Sequence, residues 1–296
     1  MKRNARYIIL GSVIIIAAVI AACFVFPINE KQKTEGNTIV VTILPLKYIA
    51  EQIVGDDYHI DILVPPGSSP ETYEPTPQQL VAVENSILIL STGLIDFEHE
   101  LTLKATQSSG NKIINLSEGI DLLSGCCGGA AHSHHNHGVD PHIWTSPKQL
   151  RIMAANAYRA IALLSPDENK YAANFEKLMH TLDELDTIVG RLITDSGIKH
   201  FFIYHPALTY YANDYMIEQV SIEHEGKEPS ADQLRGLIDL ARSEKIDKIL
   251  YQREFSRSVV ETVVKDIGAT PVEIDPLAEN IVQSILDITH LITNRK

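Results

Sequence analysis

From residue 38 onward, short apolar β-rich runs alternate with helical patterns, and this alternation constrains the fold more than any other feature of the chain. The first half offers TIVVTIL (38–44), HIDILV (59–64), ILILS (87–91) and KIINL (112–116). LKYIAEQIVG and PQQLVAVEN fit amphipathic helices between them. The second half repeats the rhythm with HFFIYH (200–205), MIEQVSI (216–222), DKILYQ (247–252) and TPVEI (270–274). Its helices are SADQLRGLIDLARSE, SRSVVETVVKDIG and a last one from Glu279 to Asn294. Strands alternating with helices predict βαβ units and largely parallel sheets.

The halves are separated by a stretch with no β run. It opens on Ser165-Pro166-Asp167-Glu168, a capping-box pattern with proline in the first turn. Tyr171, Phe175, Leu178, Leu182, Leu185, Ile188, Val189 and Leu192 then recur at helical spacing. They predict a helix of about 28 residues, roughly 40 Å long at about 1.5 Å per residue. The expected fold is α/β: two lobes with mainly parallel sheets joined by a long rigid helix. The expected boundaries are 38–164 for the first lobe, 165–195 for the linking helix and 196–296 for the second lobe.

The segment before residue 38 reads differently. Lys2, Arg3 and Arg6 precede an apolar run from Tyr7 to Ala22, the pattern of an export signal. Ile20-Ala21-Ala22-Cys23 resembles a bacterial lipobox, which makes 1–23 a lipoprotein signal and Cys23 the lipidated residue. Residues 24–37 are then a tether between membrane and lobes. The alternative is an uncleaved anchor, since Phe24 to Phe26 extend the apolar run to about 20 residues. Either way the folded part lies outside the cytoplasmic membrane. The formal charge of −13 argues against a nucleic-acid partner and suits a protein that handles cations. Cys126 and Cys127 are adjacent, so no distant cysteine pair staples the fold.

Ligands of open α/β sheets bind at the carboxyl ends of the strands. Four post-strand segments each carry a metal-competent side chain: Glu71 in PPGSSPETYEPTP, His142 in DPHIWTSP, His205 in YHP and Asp275 in DPL. Thr76 with Gln79, and Ser230 with Gln233, read as capping boxes, and Ser146-Pro147 as an N-cap. The stretch HSHHNHGVDPHIW (132–144) holds five of the twelve histidines. The segment around them lacks a hydrophobic pattern and reads as a loop, 126–137. Its His132, His134, His135 and His137 form either an accessory metal collector or a solvated linker.

The segments GSSPETYEPTP, DPHIWTSP, YHPALTYYANDY, EPSADQL and IDPLAEN occur in this order over 67–280. Together they resemble the solute-binding proteins of zinc and manganese ABC transporters. The resemblance implies a metal in the cleft between the lobes and places its ligands on Glu71, His142, His205 and Asp275. It implies Zn²⁺ as cargo, with Mn²⁺ or Fe²⁺ as alternatives, and an ABC permease as partner to a lipid-anchored monomer. Relatives usually carry histidine where this chain has Glu71, which bears on the choice of metal. Two other classes stay open: a secreted zinc hydrolase, although no HExxH motif is present, and a surface adhesin.

Overall fold

The computed structural model describes residues 37–107, 113–125, 138–164, 168–223 and 229–294. Cys23, the Cys126-Cys127 pair and His132, His134, His135 and His137 lie outside the described residues, as does most of the expected Ser165 capping box. No helix among the described residues is long and apolar enough to cross a membrane.

The molecule has two α/β lobes. The first is built on a four-stranded parallel sheet of order β2-β1-β3-β4: β1 (Thr38–Val41), β2 (His59–Ile62), β3 (Leu88–Ser91) and β4 (Ile113–Asn115). The second repeats the arrangement as β6-β5-β7-β8, again all parallel: β5 (His200–Ile203), β6 (Glu218–Ser221), β7 (Lys248–Gln252) and β8 (Thr270–Ile274). In each sheet the order reverses between the two central strands, which creates a crevice at their carboxyl ends. Central strands covered on both faces carry continuous apolar runs, as β1 does with Ile39, Val40 and Val41, all fully buried.

The helices are α1 (Leu44–Val54), α2 (Pro77–Glu84), α3 (Asp96–Gln107), α4 (Pro147–Ala162), α5 (Glu168–Ser196), α6 (Thr209–Asp214), α7 (Ala231–Ser243), α8 (Arg257–Ile267) and α9 (Ile281–Thr293). Strand β1 is shorter than the run TIVVTIL suggests because α1 begins at Leu44 with Pro45 in its first turn, where proline's fixed φ suits a helix start. Both capping boxes form: Thr76 and Gln79 exchange side-chain and backbone bonds at α2, and Ser230 and Gln233 do so at α7. The Ser146 hydroxyl caps α4 by accepting from the Lys148 amide. Helices α3 and α6 were not expected from sequence. At the start of α3, the buried Glu98 carboxylate accepts from the amides of Thr92, Leu94 and Ile95 and the Thr92 hydroxyl.

Helix α5 is the spine. Its apolar stripe of Tyr171, Leu178, Leu182, Leu185, Val189 and Ile193 is buried. It packs against α1 and α4 of the first lobe and against α9 beside the second sheet. Phe175 stacks on Tyr158 of α4 with ring centroids 4.4 Å apart and planes 6° from parallel. The two lobes therefore share one continuous apolar core along this helix.

Polar ties reinforce the junction. The fully buried Trp144 donates its indole N–H to the Pro276 carbonyl at 3.0 Å. The Tyr210 hydroxyl donates to the Asp140 carbonyl at 2.9 Å and accepts from the Leu123 amide at 3.1 Å. Trp144→Phe removes the indole bond, orphans a buried carbonyl and leaves space. It should lower the unfolding free energy by about 2–4 kcal/mol, as read from urea titrations followed by circular dichroism.

Candidate metal centre

Three loops at the carboxyl ends of strands converge at the junction. The first follows β2 and carries Glu71 on a single 3-10 turn, Pro70–Thr72. Pro70 fixes the turn's start. Just beyond it, the Tyr73 hydroxyl donates to Gln79 Oε1 at 2.8 Å, and Gln79 Nε2 donates to the Leu63 carbonyl at 2.6 Å. One glutamine thus ties the turn both to the cap of α2 and to the end of β2.

His142 opens a second 3-10 turn, Ile143–Thr145, and only 6% of its surface is exposed. Asp140, two residues earlier, accepts from the His142 amide at 2.8 Å and from its ring Nδ1 at 2.9 Å. That bond fixes the proton on Nδ1 and leaves Nε2 facing the junction, an arrangement that second-sphere carboxylates commonly impose on metal-binding imidazoles. His205 sits two residues past β5. Its Nδ1 lies 3.2 Å from Glu223 Oε2, and its ring packs against Phe255 with centroids 5.4 Å apart. Each imidazole is thus backed by its own carboxylate.

The free faces meet. Glu71 Oε1 lies 3.3 Å from His205 Nε2 and 3.7 Å from His142 Nε2. The two rings stand edge to face, 5.4 Å apart. One ligand atom from each of the three residues falls within 4.8 Å of the others. They line a cavity of about 20 Å³, large enough for one water-sized body, together with Trp144, Gln252, Glu254 and Phe255. Two nitrogens and a carboxylate oxygen at this spacing suit a divalent first-row cation.

The fourth expected residue, Asp275, is not in this group. Its Oδ2 accepts from Arg253 at 2.6 Å and its Oδ1 from the Leu277 amide at 3.2 Å. The sequence reading had not singled out Asp140, Glu223, Gln252 or Glu254. Asp140 is signalled by its place two residues before His142. The others follow or end strands β6 and β7, whose carboxyl ends were not considered.

Charge couples the three residues. Burial alone pushes the His205 pKa down, but Glu223 and Glu71 on either side outweigh it and raise the ring to about 9. Burial pushes Glu71 up, yet His205 and His142 hold its carboxyl below the usual range. Asp140 is likewise held low by His142 against the effect of burial.

The fold is matched by known proteins. The family described as zinc-uptake complex component A, periplasmic, matches residues 39–287. The chain therefore belongs to that family of solute-binding proteins. The high-affinity zinc uptake system protein ZnuA of Bacillus subtilis is 28% identical over 275 residues, which cover 85% of this chain and 84% of that one. The zinc-binding lipoprotein AdcA of Streptococcus pneumoniae is 24% identical over 276 residues, covering 89% of this chain but 54% of AdcA. Among solved structures, a zinc-bound deletion mutant of ZnuA superposes with a TM-score of 0.78 at 30% identity, over 88% of this chain and 99% of that one. The periplasmic zinc-binding protein TroA of Treponema pallidum superposes with a TM-score of 0.74 at 18% identity, over 87% and 98%, a likeness of fold alone.

A metal that takes His205 Nε2 must displace its proton. Because the ring's pKa in the metal-free protein is about 9 rather than 6.5, Zn²⁺ binding near pH 7 should release close to one proton from this site. Apparent affinity should rise by up to about tenfold per pH unit until pH 9. The same shift makes His205 a stabilising group below pH 6.5 whose contribution is lost as pH rises through about 9. Calorimetric titrations in buffers of different ionisation enthalpy count the protons released.

Proposed function

We propose that this protein is the extracytoplasmic receptor of an ABC importer, which captures Zn²⁺ in the junction between its lobes and delivers it to the membrane permease. The observation that carries this is the convergence of Glu71, His142 and His205 on one small cavity. The family membership and the zinc named for ZnuA and AdcA support the choice of cargo. Glu71, His142 and His205 bind the ion, while Asp140 and Glu223 orient the two imidazoles. Asp275 completes the set in the family pattern, but to do so it has to trade Arg253 or the Leu277 amide for the ion. Cys23 lipidation holds the receptor at the membrane surface, and the receptor acts as a monomer.

Glu71 favours a second cargo in the same site. A hard carboxylate oxygen where relatives usually carry imidazole shifts preference toward Mn²⁺ or Fe²⁺ without excluding Zn²⁺. Glu71→His should therefore raise the ratio of Zn²⁺ to Mn²⁺ affinity, and Glu71→Ala should weaken both. His142→Ala and His205→Ala should each abolish tight binding in calorimetric titration. Retained affinity in either histidine variant would refute the assignment.

The histidine loop is an accessory in this reading. Its two ends are joined: the Gly125 amide donates to the Gly138 carbonyl at 2.9 Å, and Ser124 bridges Val139 in antiparallel fashion. Deleting 126–137 should leave one tight site and remove only weaker additional binding. Loss of the tight site in that deletion, measured by the same titration, would make a loop histidine a primary ligand.

A further inference from the structure

Leu123 and Asp140 face each other just before and just after the histidine loop, next to the antiparallel bridge between Ser124 and Val139. The Asp140 amide donates to the Leu123 carbonyl at 2.9 Å. Residues so placed in an antiparallel pair exchange both backbone bonds, so the Leu123 amide should donate straight back to the Asp140 carbonyl. Instead, the Tyr210 hydroxyl stands between them. It accepts from the Leu123 amide at 3.1 Å and donates to the Asp140 carbonyl at 2.9 Å. A hydroxyl gives one hydrogen and receives on its lone pairs, so this one bridges both backbone groups and leaves neither unpaired. Tyr210 is buried, and it comes from α6 of the second lobe.

The same helix grips the far side of the His142 turn. Asp214, its last residue, accepts from the Ser146 hydroxyl at 2.5 Å and from Gln149 Nε2 at 2.8 Å. Ser146 closes the 3-10 turn that His142 opens. The helix is itself set from behind. Gln219 on β6 accepts from the Leu208 amide at 2.7 Å and donates to the Thr209 hydroxyl at 3.0 Å. Helix α6 begins four residues past His205. It lies as a splint along the turn that carries the other imidazole, bonded at Asp140 before His142 and at Ser146 after it. Asp140 in turn holds the His142 amide and ring Nδ1.

We propose that Tyr210 is a positioning residue of the metal site: its hydroxyl, projecting from the lobe of His205, sets Asp140 and through it the ring of His142. The inference rests on the reading of His142 and His205 as ligands. One helix then places both imidazoles, although they belong to different lobes. With the hydroxyl gone, the Leu123 amide and the Asp140 carbonyl are free to bond directly. That shifts Asp140 toward Leu123 and carries His142 Nε2 off the point it shares with His205 and Glu71. The ligand set stays complete while its geometry is lost, which is how an outer-sphere partner acts on a metal.

Calorimetric titration of the metal-free protein with Zn²⁺ tests this against a control on the same helix. Tyr210→Phe should weaken Zn²⁺ by about tenfold, the lower end of what losing an outer-sphere partner costs. Tyr211→Phe removes an equally buried hydroxyl, whose 2.8 Å bond runs to Thr289 and not to the site. It should keep the parent's affinity, whereas a role in stability alone would make the two variants alike. In an Asp140→Ala background the carboxylate no longer links backbone to ring, so Tyr210→Phe should cost much less there. Asp214→Ala frees the far end of the helix at a half-buried position and should weaken Zn²⁺ by a smaller factor. It decides the matter if metal-free melting curves show that Tyr210→Phe does not fold, and parent affinity in it then overturns the proposal. Parent affinity in a folded Tyr210→Phe, an equal loss in Tyr211→Phe, or an undiminished loss in the Asp140→Ala background also overturns it. His142→Ala separates the two levels: if it loses Zn²⁺ while Tyr210→Phe does not, Tyr210 alone is wrong. If His142→Ala also binds tightly, the site assignment falls and this inference with it.

Discussion

Two imidazoles face one carboxylate oxygen across the junction of the lobes, and each is gripped from behind by a carboxylate of its own. Much of the rest of the structure serves to hold this arrangement. Five acidic or basic side chains in a largely enclosed space are costly to desolvate, and only their mutual pairing offsets that cost. In the metal-free protein the pairing is made with a proton on His205. A divalent cation replaces that proton and brings one charge more. The site is thus kept folded by the attraction that the incoming ion later supplies.

Such a site needs its loops fixed to within fractions of an ångström, although they come from two separate sheets. Helix α5 provides the fixed frame. It gives both lobes one apolar core, so the lobes do not depend on the site for their relative placement. The finer alignment comes from bonds that cross the junction beside the site. Trp144, two residues from His142, holds the Pro276 carbonyl next to Asp275. Gln252 holds the carbonyl of His205 itself. The loops of His142 and His205 are thus each tied to a neighbour from another strand, and the Glu71 loop to α2 and the end of β2.

Much of this architecture was legible in local sequence. Parallel sheets showed as apolar runs spaced by helices, and α5 showed as a stripe from Tyr171 to Leu192. The capping boxes at Thr76 and Ser230 were readable because both partners lie within one turn. What local pattern could not supply was contact at a distance. Helix α3 was missed because its first turns, DFEHEL, mix charged with apolar residues, so that only Phe97 and Leu101 mark its apolar face among the described side chains. The backing of His205 by Glu223 joins residues 18 apart. The capture of Asp275 by Arg253 joins residues 22 apart. Motif order pointed to Asp275, and motif order carries no information about which cation a carboxylate has already found.

The hydrogen-bonded neck formed by Ser124–Gly125 and Gly138–Val139 brings together the two ends of the chain on either side of 126–137. Chain closure is accomplished at the neck, and the entropy of closing a loop grows only slowly with its length. Beyond the neck, the Asp140 amide donates to the Leu123 carbonyl and the Tyr210 hydroxyl to the Asp140 carbonyl, which fixes the residue that orients His142. The ligand geometry at His142 is thus set on the described side of the neck, by Asp140, Leu123 and Tyr210. The neck is a socket: because its two strands of chain are already joined, it is the place to graft a reporter domain without lengthening the path from Leu123 to Asp140.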